Sequence, residues 1–476
     1  MYKKKFFGLI NLLLINYIYC TIVLPLDTLP RENYELTYDI NSPKDIMDQE
    51  NRNSFFTTFE IGFPVQKVPL IIKPKLNYYV ITSVFPVPNI TISKNHKNYN
   101  FPDDFFNKYD FYNENKSNSS ILNWCRETEY YNAEECCSVN DTILFYTDVN
   151  MENKIVPNIN FELMRNVEDN ITGEIGLNLY DEVGRTYNTF LGILKNNDLI
   201  KDYNWYFDFD TWNNKKGKIV IGSLPHEDYP DIYSEDDLFY TPSIQLSRLS
   251  YMEMRFDTVY INNKDDKIFF NTLAELRYDT NIIIGDNIYE KYILSKIDNL
   301  LEQQKCFNDT FKDYEHYFNF TFYYCLNDKN IKRKLNEILP PIYFYCNDFN
   351  HTFELKINEL LFEKDKYIYI PIIFNDITRK WSLGKVFSLK YKFVFNQDKK
   401  EIGFYNTNYL EEKNETKNYM IYIKIIIFVV LSIIFLFLGI KIGKMLNKSR
   451  KKRANELTDD YEYYSDSNNE NNINHI

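Results

Sequence analysis

The chain has 476 residues and a formal net charge of −12, which leaves room for two or three domains, each large enough to bury a core. Acidic residues are spread through most of it and no long basic stripe runs among the aromatics, so a nucleic-acid footprint is excluded. The 41 Tyr and 37 Phe against 13 Gly favour half-buried strands over helices.

In chain order, Lys3, Lys4 and Lys5 precede an apolar run from Phe6 to Tyr19 that is short for a bilayer span and suits a signal peptide, assigned to residues 1–24 with cleavage near Cys20. Residues 25–50 are polar and carry Pro25, Pro30 and Pro43, which reads as a leader or linker. Strand-like runs follow between turn signals, among them Phe55–Ile61, Val68–Ile72, Tyr78–Thr82, Thr142–Tyr146 and Lys218–Ile221. Asn113–Ser120 reads as a solvated loop. Apolar spacings of three and four predict helices over Thr189–Ile200 and Asn287–Gln304.

After a stalk at 409–418, Tyr419–Ile440 is apolar except for Lys424, which can snorkel, and is long enough to cross a bilayer once. Lys441, Lys444, Lys448, Arg450, Lys451, Lys452 and Arg453 follow, so residues 441–476 form a cytoplasmic tail, basic and then acidic. The expectation is a type I membrane protein of the secretory pathway or cell surface, with its ectodomain lumenal or extracellular.

Cys125, Cys136, Cys137, Cys306, Cys325 and Cys346 suit disulfides in an oxidising lumen. Each half of the ectodomain holds three, so full pairing forces one bridge between halves; otherwise each half keeps a free thiol. Sequons at Asn89, Asn115, Asn118, Asn140, Asn170, Asn308, Asn319, Asn350 and Asn414 fit a glycosylated surface. No metal-ligand cluster, phosphate loop, dinucleotide fingerprint or nucleophile elbow is present, so no cofactor or metal is expected.

Several fragments resemble pepsin-like aspartic proteases. Phe55-Phe56-Thr57-Thr58-Phe59-Glu60-Ile61-Gly62-Phe63-Pro64-Val65-Gln66 is similar to that family's opening hairpin, and Gly173-Glu174-Ile175-Gly176-Leu177 to its Gly-Ile-Leu-Gly-Leu. Gly217-Lys218-Ile219-Val220-Ile221-Gly222 resembles the strand closing the first lobe, and Tyr240-Thr241-Pro242 the crossing into the second. Leu339-Pro340-Pro341-Ile342-Tyr343-Phe344 and Trp381-Ser382-Leu383-Gly384-Lys385-Val386-Phe387 resemble second-lobe strands, the latter in place of Trp-Ile-Leu-Gly-Asp-Val-Phe. The resemblance runs from about residue 55 to 406 in the family's order. It implies an all-β, bilobal fold around a cleft, with lobes at 51–235 and 236–408 and a C-terminal transmembrane helix at 419–440. The layout is similar to the membrane-anchored memapsin and plasmepsin V branches.

Aspartic proteolysis needs two carboxylates that share a proton. The family places each in Asp-Thr-Gly, the first seven residues after the Gln of the opening hairpin. Counting from Gln66 gives Lys73-Pro74-Lys75. In the second lobe Ala274-Glu275-Leu276 leads to Arg277-Tyr278-Asp279, which makes Arg277 the second replacement; a shift of two residues gives Asp279-Thr280-Asn281 instead. Tyr146 is the candidate flap tyrosine. Two cations facing each other about 4 Å apart would repel by roughly 4 kcal/mol, and Glu275 and Asp279 are the internal counter-ions at hand. The resemblance therefore implies a catalytically inactive pseudoprotease with no catalytic residues, acting as a peptide- or protein-binding scaffold. The alternatives are an active endopeptidase with displaced acids, or a structural surface glycoprotein whose vestigial cleft is plugged by Tyr78, Tyr146 or Tyr278.

Overall fold

The computed structural model describes residues 21–30, 42–51, 53–75, 79–83, 109, 112–127, 135–165, 173–179, 189–209, 216–242, 252–261, 267–278, 280–313, 318–356, 360–375, 380–405, 426–432, 438–451 and 453. The chain divides into two units, Met1–Tyr409 and Leu410–Ile476. The first is mostly β.

Its first half supplies β1 (Ile22–Pro30), α1 (Pro43–Asn51), β2 (Asn53–Ile61), β3 (Gln66–Lys73), β4 (Tyr79–Ser83), β5 (Ile121–Glu127), β6 (Glu135–Tyr146), β7 (Lys154–Ile155), β8 (Asn158–Arg165) and β9 (Gly173–Gly176). Then come α2 (Phe190–Asn196), β10 (Asn204–Phe209), β11 (Gly217–Ile221), α3 (Pro225–Asp228) and β12 (Leu238–Tyr240). The second half supplies β13 (Glu253–Ile261), β14 (Lys267–Leu276), β15 (Ile283–Gly285), α4 (Asn287–Glu302), β16 (Cys306–Asp313), β17 (Phe318–Leu326), α5 (Lys329–Ile338) and β18 (Ile342–Cys346). It closes with β19 (His351–Leu355), β20 (Phe362–Lys364), β21 (Tyr367–Phe374), β22 (Trp381–Leu383), α6 (Lys385–Lys390), β23 (Lys392–Asn396) and β24 (Glu401–Tyr405).

A five-strand pattern occurs twice. In the first copy β2 and β3 form an antiparallel hairpin, β3 runs parallel to β9, β9 antiparallel to β4, and β4 parallel to β8. In the second, β13 and β14 form the hairpin, β14 runs parallel to β22, β22 antiparallel to β15, and β15 parallel to β21. Strands inside such parallel pairings are covered on both faces and read as apolar runs. Val68, Leu70, Ile71 and Ile72 of β3 are buried in this way, as are Ile368, Ile370, Ile372 and Ile373 of β21.

The boundary expected at 235/236 is not a boundary between sheets. One sheet of 14 strands runs β12-β24-β23-β10-β11-β1-β2-β3-β9-β4-β8-β6-β5, with β7 paired to β6 off this path, so β12, β23 and β24 join strands of the first half. Trp205 of β10 pairs with Phe395 of β23, and their rings stack at 4.2 Å. The other sheet, of 10 strands, is built from β13 to β22.

Of residues 25–50, expected to be a leader or linker, the described parts, 25–30 and 42–50, instead belong to the fold. β1 pairs with β11 from Ile22↔Ile221 to Leu26↔Gly217 and then with β2 from Asp27↔Phe56 to Pro30↔Asn53. Ile22, Val23 and Leu24 are buried, so the limit drawn at residue 24 falls inside a strand. The prolines suggested a linker, and the apolar residues of β1 merged with the run before them. α1 follows, with Ser42 accepting from the Asp45 amide at its start. It packs Ile46 and Met47 into a cluster with Ile282, Ile284, Phe322, Tyr369 and Ile373 of the second half.

The loop at Asn113–Ser120 is not simply solvated. Glu114 and Ser117 are buried, the Asn113 amide donates to Gln66 Oε1 at 2.8 Å, and Ser119 donates to Asp141 at 2.6 Å. The expected helices form as α2, capped by Thr189, and α4, capped by Asp286.

In the second unit, residues 426–432 and 438–451 are helical with exposed side chains. Among the described residues no helix is long and apolar enough to cross a membrane. Much of the expected span, 419–425 and 433–437, lies outside the described residues.

Candidate functional site

The strand registers place the two candidate positions. Along β3 and β9, Ile71 faces Glu174, Ile72 faces Ile175 and Lys73 faces Gly176. Along β14 and β22, Glu275 faces Ser382 and Leu276 faces Leu383, and the Arg277 amide donates to the Leu383 carbonyl at 2.8 Å. Laying Gly173–Gly176 over Trp381–Gly384 matches Ile71 with Glu275 and Ile72 with Leu276. Lys73 and Arg277 are then the next residues in each copy. Asp279, which the shifted alternative would use, lies outside the described residues.

The ends of β3 and β14 touch. Lys75 is ion-paired with Glu275 across 200 positions of sequence. Lys380, just before β22, lies 3.9 Å from Glu275 and pairs with Glu253 of β13. A chain Lys75–Glu275–Lys380–Glu253 thus joins the two copies of the repeat. Both lysines are over a third exposed, so each link contributes no more than about 1 kcal/mol. Glu275, expected as a counter-ion, is engaged by these two lysines, and Lys73 and Arg277 are half-buried.

Tyr278 is buried and points away into aromatic packing. Its ring stacks on Phe207 at 4.1 Å and meets Phe395 at 6.1 Å, and burial pushes its hydroxyl well above the usual tyrosine range. Gly384, at the turn beside Arg277, admits no side chain, because a Cβ there would lie 2.1 Å from the Ile282 carbonyl oxygen. The next residue, Lys385, stands where the family pattern has Asp. It is 1 % exposed, its amide donates to the Thr280 carbonyl, and its ammonium lies 4.4 Å from the Phe209 ring centre. Burial lowers its pKa to about 8, opposed by the charge of Glu50. Glu50, from α1, also accepts from the Asn281 side chain at 2.6 Å. Nothing in the local sequence marked Lys385 as buried.

Tyr146 is not brought to these strand ends. It closes β6 opposite Val23 and Lys154 and lines a cavity of about 260 Å³ with Thr57, Thr58, Glu60 and Lys67; neither Lys73 nor Arg277 lines it. Its place at the end of a strand matched the flap pattern, but the strand leads to β1 and β2. Tyr78, the remaining candidate plug, lies outside the described residues.

Four of the six cysteines pair. Cys125–Cys137 staples β5 to β6, and Cys306–Cys325 staples β16 to β17. Cys136 and Cys346 are free and buried, which corrects their expected pairing and leaves one thiol in each half. Alternation along β6 turns Cys136 to the face opposite Cys137, and Cys346 sits on β18 in the other sheet. Of the sequons, Asn115, Asn118, Asn308, Asn319 and Asn350 are exposed and Asn140 is half-buried; Asn89, Asn170 and Asn414 lie outside the described residues.

Chemically, the two equivalent positions offer an ammonium and a guanidinium, groups that bind carboxylates or phosphates. They do not offer a carboxylate pair that could share a proton. No protein-family model matches the chain, and no curated protein matches it.

Proposed function

We propose that the chain is a catalytically inactive, pepsin-like pseudoprotease that binds extended peptide or protein segments. The observation carrying this reading is the register that makes Lys73 and Arg277 equivalent in the two copies of the repeat. The Lys75–Glu275 contact supports it by bringing the two strand ends together. Peptide binding outlasts the loss of catalysis because strand-like pairing uses backbone groups. With cations where an active enzyme would have acids, the preferred ligand carries carboxylates. Exposed Ile426, Ile427, Phe428, Val429, Val430 and Leu431 on one short helix, followed by the basic run, favour anchoring in a membrane by a single span with the repeat on the lumenal or extracellular side.

Binding of labelled extended peptides, scanned by charge, tests this. Acidic peptides should bind intact, and Lys73→Glu or Arg277→Glu should weaken them about tenfold, near 1.4 kcal/mol. Affinity indifferent to peptide charge and to both substitutions would sink the reading.

A further inference from the structure

We infer that α5 carries a docking site for a sulfated polysaccharide. The helix reads Lys-Asn-Ile-Lys-Arg-Lys-Leu-Asn-Glu-Ile, four cations against one acid, in a chain whose net charge is −12. Ile331 and Leu335, four residues apart, are its buried face. Lys329 and Arg333, also four apart, top the opposite face, and Lys332 and Lys334 flank it. All four cations are exposed.

The rest of the corner extends the patch. The Lys305 carbonyl accepts from the Leu326 amide and the Lys366 carbonyl from the Asn327 amide, which sets exposed Lys305 and Lys366 at the start of α5. Three acids of this corner are engaged, while exposed Glu302 and Asp365 precede Lys305 and Lys366 in the chain. Asp328 caps the helix, accepting from the Asn330 and Ile331 amides, Glu363 pairs with Lys332, and Glu337 lies 3.9 Å from Arg333. These are exposed pairs in water, weak enough to exchange for a polyanion.

Clustered cations on a rigid helix suit a repeating anion more than a single carboxylate, and Lys/Arg-rich segments of this length are the pattern of heparin-type or nucleic-acid contacts. The choice of a sulfated glycan over a nucleic acid rests on the secretory reading above.

Retention of the full chain in detergent on immobilised heparin at neutral pH, eluted with a salt gradient, tests the site. Two charge-reversed variants separate α5 from the basic tail: Lys332→Glu/Arg333→Glu/Lys334→Glu, and Lys448→Glu/Lys451→Glu/Arg453→Glu. The site predicts that the α5 variant loses affinity at least about tenfold and elutes earlier, while the tail variant keeps the α5-dependent part of the retention. Retention abolished by the tail variant alone overturns it, as does binding to phosphatidylserine vesicles or single-stranded DNA with none to heparin. Heparin binding by a chain found only in the cytosol would refute the secretory reading and, with it, the assignment of α5 to a sulfated glycan, whereas a secreted chain that heparin does not retain would refute the site alone.

Discussion

Lys392→Met should destabilise the fold by about 3 kcal/mol, because it strips the partner from a buried carboxylate. Lys392 Nζ lies 2.7 Å from Asp208 Oδ1 and donates to the Phe207 carbonyl at 3.0 Å, with both side chains 6 % exposed. Breaking one side of such a pair costs about 3–5 kcal/mol. The lower end is expected here, because Lys218 stands 3.9 Å from Asp208. Asp208→Asn/Lys392→Met, which removes both charges, should recover most of the loss. Urea unfolding at neutral pH, analysed as a double-mutant cycle, reads all three. The pair joins β10 to β23, strands from opposite halves of the chain, so the cycle also probes the shared sheet. A single-variant cost under about 1 kcal/mol, or a double variant as costly as the two singles summed, refutes the argument.

The same pair sets an acid limit. Burial alone would raise the Asp208 carboxyl, but Lys392, the Tyr229 hydroxyl and Lys218 outweigh it and hold it below the usual carboxylate value. Its stabilising contribution is therefore present above about pH 4 and lost as pH falls through the lower folded value; Lys392→Met should abolish that loss. For Lys385 the folded value, about 8, lies below the ordinary 10.5, so the fold bears the cost of charging it at neutral pH. Lys385→Met should match or exceed the parent in urea midpoint at pH 7, and that advantage should vanish above about pH 10.5. Gly384→Ala, meeting a backbone carbonyl, should cost about 3 kcal/mol by urea unfolding, and a cost near zero would mean that the turn beside Arg277 is placed wrongly. Burial lowers the His351 pKa, so the stability tied to its neutral form is complete above about pH 6.5 and falls below it; His351→Phe should flatten that slope in thermal melts.

Strands whose apolar residues alternate or run unbroken, such as β2, β3 and β11, were legible in the sequence, as were α2 and α4 from their apolar spacing. β1 was not, because Ile22 to Leu26 continues the preceding apolar run and its prolines look like a linker. α1 offers only Ile46 and Met47 as an apolar pair, too few for a period, and its docking depends on residues more than 200 positions away. At the candidate site the counts that led to Lys73 and Arg277 are local, and the strand registers set the two residues at equivalent points of the repeat. Lys75–Glu275 and the burial of Lys385 arise from tertiary contacts that no local pattern announces. Tyr146 went astray because a tyrosine ending a strand carries no information about which strand it will face.

The most direct measurement of the central claim is hydrolysis of a broad peptide library by the purified protein between about pH 3 and 7, where a carboxylate dyad would work, with and without a pepstatin-type inhibitor. The account predicts no cleavage above background and no retention on the immobilised inhibitor. Turnover that the inhibitor abolishes would contradict it.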